Sequence, residues 1–283
     1  MYGLELENLC VDFGNFKLDN INLKLRRGCI TGLIGRNGCG KTTMINAIMR
    51  QLEATGSILY NGKPYKGNEE EIMNSLACVF DKPHFNQNLK PKKIIKIYNA
   101  IYPDLDLGKY YSLMDKFRLP HELKLSKYSF GMQRKYCLIL ALCRNADILI
   151  LDEPTSGVDP YDRGEIMDLI QEFIMDENRT VLFSTHVTAD LDKIADYVVM
   201  MSDGKIILDT DKETLTDGYR LVQCETLTPE MQASAIGVQK SMFGYVFLTR
   251  DKDIKEGEGV KVKVPTIEEA FVHLQMDKRG LEL

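Results

Sequence analysis

One octapeptide, Gly35-Arg36-Asn37-Gly38-Cys39-Gly40-Lys41-Thr42, limits the folds open to this 283-residue chain more than any other stretch. It matches G-x-x-x-x-G-K-[ST] in full and stands between an apolar run, residues 30–34, and a helix-like stretch that the spacing carries from 41 to 52. A tightly curved loop with glycines can aim several backbone N–H groups at one point, and the following helix adds its positive N-terminal end. That combination cradles a polyphosphate. Lys41 then supplies mobile positive charge for the outer phosphates, Thr42 offers a hydroxyl to Mg²⁺, and Thr43 offers a further hydroxyl or N–H. Cys39 reads either as a small filler or as a thiol whose place near a helix N-terminus lowers its pKa. On the second reading, alkylating it should impair nucleotide binding.

A phosphate cradle needs a carboxylate that can hold a metal. Ile148-Leu149-Ile150-Leu151-Asp152-Glu153 is an apolar strand ending in two acids. Adjacent residues at a strand end can face different ways, so the two need not share a task. Asp152 is expected to hold Mg²⁺ and so screen phosphate charge. Glu153 is expected to orient and polarise an attacking water.

Composition removes several alternatives. Lys and Arg total 36 against 41 Asp and Glu, a net charge of −5, which argues against a chain that coats nucleic acid. The longest apolar run, from Cys137 to Cys143, is far short of the roughly 20 residues that span a bilayer. The first residues lack the basic start and apolar core of a signal peptide. The 7 cysteines are odd in number and show no C-x-x-C spacing, so reduced thiols in the cytosol are expected rather than disulfides or zinc.

The rest of the chain supplies an architecture. Leu4, Leu6 and Leu9, then Ile21, Leu23 and Leu25, alternate with polar neighbours, as in an antiparallel sheet with one wet face. Residues 68–127 read as an inserted, mainly helical lobe. Buried strands at 148–151 and 181–184, with a helix from 164 to 175 between them, point to a parallel α/β sheet. Residues 198–201 and 205–208 read as a hairpin. The chain then divides near 210, leaving 211–283 as a small unit with strands at 219–224, 245–249 and 260–264 and a helix capped by Thr266.

Taken in order, these residues resemble the ATP-binding subunits of ABC transporters over about 1–210. Tyr128-Ser129-Phe130-Gly131-Met132 is similar to the ABC signature, Ser156-Gly157-Val158-Asp159 to the D-loop, and Ser184-Thr185-His186 to the switch-histidine strand end. The resemblance implies a P-loop NTPase core, a parallel sheet plus an antiparallel β subdomain, with the inserted lobe and a small C-terminal α+β unit. It also implies that two copies pack head to tail around MgATP. Ser129 and Gly131 would then contact the γ-phosphate held by the partner's 35–42 loop, His186 would sense that phosphate, and Asp159 would couple the two sites. Each has a plainer alternative: Ser129 an ordinary N-cap, Asp159 a cap on the turn at Pro160. Phe13 lies where the family stacks an aromatic on adenine, with core packing as the alternative. His84, His121 and His273 are expected to be structural or solvated.

Two departures from the family pattern stand out. Asp81 follows Leu76-Ala77-Cys78-Val79-Phe80, where a Gln often serves as a Mg²⁺ and water ligand. An acidic residue can still approach the metal, but it cannot donate a hydrogen bond while ionised. The signature carries Phe130 and Met132 where Gly and Gln are commonest. At the tail, 264–271 is similar to the C-terminal helix start of bacterial exporter ATPases, although Thr266 and Glu269 also form a local capping box. The resemblance therefore implies an ATPase at the cytoplasmic face of the membrane, driving a separate permease, with export as the direction. Lys90-Pro91-Lys92-Lys93 could meet a permease loop or anionic lipid, and a solvated face is the simpler reading. The rivals are a soluble ABC-type ATPase in DNA repair or on ribosomes, and a nucleotide-dependent interaction protein with little hydrolysis.

Overall fold

The computed structural model describes residues 1–82 and 85–280, with no account of side chains beyond 276, so His84 lies outside the described residues. The chain begins with two long strands, β1 (Tyr2–Asp12) and β2 (Lys17–Arg26), whose inward leucines and isoleucines are buried while the intervening residues face water. β3 (Cys29–Gly35) is buried along nearly its whole length, as an apolar run without alternation requires. It feeds the loop and α1 (Lys41–Ile48). That helix stops four residues short of the expected end, because Arg50 turns the backbone into the left-handed region at φ 57°. Two short strands follow, β4 (Thr55–Tyr60) and β5 (Lys63–Pro64).

Next come α2 (Glu69–Ser75), β6 (Leu76–Val79), α3 (Pro91–Ile101), α4 (Leu107–Lys116), a 3₁₀ turn (Leu125–Lys127) and α5 (Phe130–Leu142). β7 (Ile148–Asp152), α6 (Pro160–Ile174), β8 (Thr180–Thr185), α7 (Thr188–Ile194), β9 (Tyr197–Ser202) and β10 (Lys205–Asp211) complete the larger part. The chain then adds α8 (Lys212–Gly218), β11 (Arg220–Cys224), α9 (Pro229–Ser234), β12 (Ala235–Ser241), β13 (Gly244–Thr249), β14 (Val260–Lys263) and α10 (Ile267–Gly280).

Three sheets result. An antiparallel one runs β2-β1-β4-β5, a six-stranded one runs β10-β9-β3-β8-β7-β6, and a third runs β12-β13-β11-β14. In the six-stranded sheet only the β9–β10 pair is antiparallel. Strand β6 falls inside the range expected to form the helical lobe, yet it pairs with β7 from Leu76↔Ile148 to Val79↔Leu151. The lobe proper is therefore α3 to α5, and its buried Ile94, Tyr110, Met114 and Tyr136 share a core with the sheet strands.

A second core joins α1 (Met44, Ile45, Ile48) to the inward face of the antiparallel sheet (Leu4, Leu6, Ile21). Each such fully buried aliphatic contributes about 1.5–3 kcal/mol of transfer free energy. The C-terminal sheet has a small core of its own around Val222, Cys224 and Phe247. Leu221, Leu248, Ile267 and Ala270 nevertheless belong to the main core, so this unit packs on the body of the protein. The docking point is α7: Thr188 donates to Glu268 at 3.1 Å and the Ile267 N–H to Asp192 at 3.4 Å.

Candidate functional site

The edge of the parallel sheet at the C-terminal ends of β3 and β7 opens into a cleft of about 380 Å³. Its walls are loop residues 36–43 other than Cys39, together with Phe16, Asp81 and Glu153. Two glycines make the loop possible. Gly40 has φ 111°, and a Cβ there would sit 2.6 Å from Leu18 Cδ2. At Gly35 a Cβ would meet the Cys39 sulfur at 2.2 Å and the Met201 carbonyl at 2.8 Å. No side chain caps α1, so its first N–H groups stay open to a ligand.

Lys41 folds back along the loop. Its ammonium donates to the Gly35 carbonyl at 2.7 Å and lies 3.7 Å from Glu153 Oε1. These partners hold a buried cation at the cleft floor. Thr42 Oγ1 donates to Asp152 Oδ2 at 2.8 Å, and Ser184 Oγ donates to Asp152 Oδ1 at 3.0 Å. Asp152 is 1% exposed, so both oxygens are oriented by hydroxyls. Ser184 was not singled out for this task from sequence. Its signal is positional: β8 runs beside β7 in the register Asp152↔Ser184.

Among the described residues no three His, Cys, Asp or Glu side chains gather as a metal centre. The donors present are hard oxygens, Thr42 Oγ1 and Asp152, too few for a protein-only cage. That set fits Mg²⁺, which keeps several waters and takes phosphate oxygens as ligands.

Glu153 follows the strand in the left-handed region at φ 52°, a conformation that costs a non-glycine residue about 1–2 kcal/mol. Its carboxylate takes partners different from those of Asp152, which bonds Thr42 and Ser184. Glu153 Oε2 lies 2.6 Å from His186 Nδ1 and accepts from the His186 backbone N–H at 3.3 Å. His186 itself is exposed, so its ring meets Glu153 through Nδ1 and is otherwise open to solvent. The sequence-predicted pair is thus brought together from residues 33 positions apart.

Other predicted residues fall differently. Cys39 is 5% exposed, and burial pushes its thiol up despite the opposing pull of Lys41. The expectation of a lowered, reactive thiol is corrected: the sulfur packs back against Gly35 as a filler. Phe13 is 51% exposed, which excludes core packing, while Phe16, three residues on in the same turn, is the aromatic on the cleft wall. Asp81 reaches the cleft wall, but its carboxylate accepts from Arg134 at 2.7 Å.

Ser129 and Gly131 stand apart from this cleft, at the start of α5. Ser129 Oγ accepts from the Met132 N–H at 3.2 Å, and Ser129 is exposed. Gly131 is required by space, since a Cβ would lie 2.0 Å from Asp162 Oδ2. Asp159 caps α6 by accepting from the Tyr161 and Asp162 N–H groups at 3.0 and 3.1 Å, and these bonds, that from Asp162 first, hold its carboxyl below the usual range. His273 is buried with its Nδ1 2.6 Å from the Gly237 carbonyl, a structural histidine.

A glycine loop between strand and helix, a buried Asp at the end of β7, one strand removed from β3 and hydrogen-bonded to the loop threonine, and a parallel sheet define a P-loop nucleoside triphosphatase. Comparison with known proteins narrows the class. Residues 18–156 match the family model described as ABC transporter. The ABC transporter ATP-binding protein YtrB of Bacillus subtilis is 27% identical over 211 residues, 74% of this chain and 72% of that protein. The bacitracin transport ATP-binding protein BcrA of Bacillus licheniformis is 30% identical over 193 residues, 67% of this chain and 63% of that protein. A solved ATP-binding subunit of an ABC transporter superposes with a TM-score of 0.68 at 24% identity, over 75% of this chain and 91% of that one, and so shares the fold. Residues 18–156 are therefore similar to the ATP-binding, ATP-hydrolysing domain of the ABC transporter family.

Proposed function

We propose that this chain is the motor subunit of a membrane exporter, that it closes head to tail with a second copy around MgATP, and that it drives a separate permease from the cytoplasmic face. The observation that carries the pairing is a division of labour within one chain. The cleft at the 35–42 loop is lined by Lys41, Thr42 and Glu153, whereas Ser129 and Gly131 lie at the start of α5 outside its walls. A second copy would bring its Ser129 hydroxyl and the N-terminus of its α5, a 13-residue helix, to the open side of the phosphate.

In this reading Lys41 leaves Gly35 and Glu153 for the β- and γ-phosphates, and the N–H groups of residues 36–43 wrap the chain of phosphates. Mg²⁺ held by Thr42 and Asp152 would screen phosphate charge; Asp81, whose carboxylate is paired with Arg134, is left out of the metal set in this reading. Adenine would stack at the Phe13–Phe16 turn. Glu153, freed of Lys41, orients the attacking water, and His186 holds it against the γ-phosphate. Asp159 sits at the start of α6 and would couple the two sites. Transport is supported by the name of the relative BcrA, and export rests on the likeness of residues 264–271 to the tail of exporter ATPases. No helix among the described residues is long and apolar enough to cross a membrane. The −5 net charge gives no support to a nucleic-acid partner.

The test is mass measurement by light scattering with and without MgATP, followed by copurification from membranes. The expected result is an ATP-dependent dimer, abolished by Lys41→Ala, and a hydrophobic polypeptide that elutes with the tagged chain. A monomer at saturating MgATP, or binding partners that are all water-soluble, would overturn the reading.

A further inference from the structure

Asp81 brings a carboxylate to a cleft whose other groups, Lys41 and Thr42 among them, suit phosphate. An uncompensated anion there opposes a triphosphate by Coulomb repulsion. Arg134 answers it. This residue on α5 is 3% exposed; one terminal nitrogen donates to Asp81 Oδ1 at 2.7 Å and the other to the Phe80 carbonyl at 3.0 Å. The same guanidinium lies 4.9 Å from the centroid of the Phe130 ring. Phe130 follows Ser129 in the signature turn and covers Gly157, where a Cβ would be 3.3 Å from the ring. Arg134 Nε is buried without a hydrogen-bond partner among the described residues, a cost that the ion pair and the Phe80 bond offset.

We propose that Arg134 is a positioning residue for the nucleotide: it holds the Asp81 carboxylate aside and neutralised when a triphosphate occupies the cleft, and with the same planar group seats Phe130 on the Gly157 turn beside Ser129. Charge and shape act through one guanidinium, its N–H group on Asp81 and its carbon 4.9 Å from the Phe130 ring centroid. The Asp81 contact governs how well the cleft accepts phosphate. The Phe130 contact governs how the signature turn is presented. The proposal rests on the reading that the triphosphate lies on the 35–42 loop.

The test uses the full chain, a fluorescent ATP analogue with Mg²⁺, and phosphate release. Arg134→Gln should weaken analogue binding on the order of tenfold at low salt, since a half-exposed Asp81 loses its counter-charge. The defect should shrink as salt rises, because screening acts on charge and not on packing. Adding Asp81→Asn to Arg134→Gln should restore affinity while turnover stays low, so that KM recovers and kcat does not. A folded double variant that binds as weakly as Arg134→Gln, or a loss indifferent to salt, overturns the proposal. Should the Arg134 variants not fold, Asp81→Asn alone decides: a change in affinity within about threefold agrees, and a loss of about tenfold makes Asp81 a required ligand and refutes it. If the wild-type chain fails to bind the analogue while remaining folded, the assigned phosphate site falls with it; normal wild-type binding without rescue removes the Arg134 role alone.

Discussion

Glu153→Gln tests the chemistry of the cleft most directly, because the amide keeps the size of the side chain and removes its charge. In the structure one carboxylate oxygen lies 2.6 Å from the His186 ring and accepts from the His186 N–H, while the other lies 3.7 Å from Lys41. A glutamine has one acceptor where the carboxylate has two. If its oxygen stays with His186, its NH₂ group faces an ammonium; if it flips, the NH₂ group faces the backbone N–H of His186. Either arrangement forfeits one contact, a cost of about 1 kcal/mol to the nucleotide-free fold and about 2 °C in melting temperature for a chain of this size. Turnover should suffer far more. Loss of a positioned general base costs on the order of 10²–10⁴ in rate, or about 3–5 kcal/mol in barrier. Nucleotide affinity should hold or rise, since a negative group beside the γ-phosphate is gone. Phosphate release under saturating MgATP, analogue titration and a thermal melt read these three quantities on one preparation. A kcat within about tenfold of wild type would falsify the assignment of Glu153 as the base.

Three further outcomes follow from the geometry. Burial raises the Cys39 thiol, so iodoacetamide at neutral pH should leave it unmodified in the folded chain and label it once denatured, as peptide mass mapping will read; rapid native labelling would contradict the packing. Gly131→Ala should destabilise the chain by about 1–3 kcal/mol in urea denaturation. The added methyl would press on Asp162, which Lys135 holds at 2.7 Å, and an unchanged midpoint would show that this contact yields. Burial pushes the Glu269 carboxyl up, but bonds from Lys263 and Thr266 outweigh it and hold the group below its usual value. A depressed folded pKa stabilises above the ordinary carboxylate value and loses that contribution as pH falls through the lowered one. Glu269→Gln should therefore be less stable near neutrality, with the gap closing in acid; a gap that is constant with pH would contradict the ion pairing.

What sequence makes legible here is local. The glycine loop, the apolar strand before it and the helix after it are adjacent in the chain, so spacing and residue type carry the meaning of the 35–43 stretch. The same holds for the caps: Ser129, Asp159 and the Thr266–Glu269 box each close on N–H groups two or three residues away. Strand patterning also identifies β1 to β3, β7 and β8, where periodicity is strong. It fails at β12, whose mixed residues become a strand through pairing with β13. It also blurs the lobe boundary, because a four-residue strand such as β6 has too few residues to show which sheet it joins.

The sequence by itself decided that a phosphate loop exists, which residue types line it, and that an acidic strand end accompanies it. Only the tertiary structure decided which groups meet. The Thr42–Asp152 bond spans 110 positions, and Asp81–Arg134 spans 53. Glu153–His186 depends on a left-handed turn and on β7 lying beside β8. Burial, too, is a property of the packed body: it decided between the two readings of Cys39 in favour of the filler and left Phe13 exposed while Phe16 faces the cleft. Local chemistry is written along the chain, whereas register, burial and counter-charge arise when distant segments exclude water together.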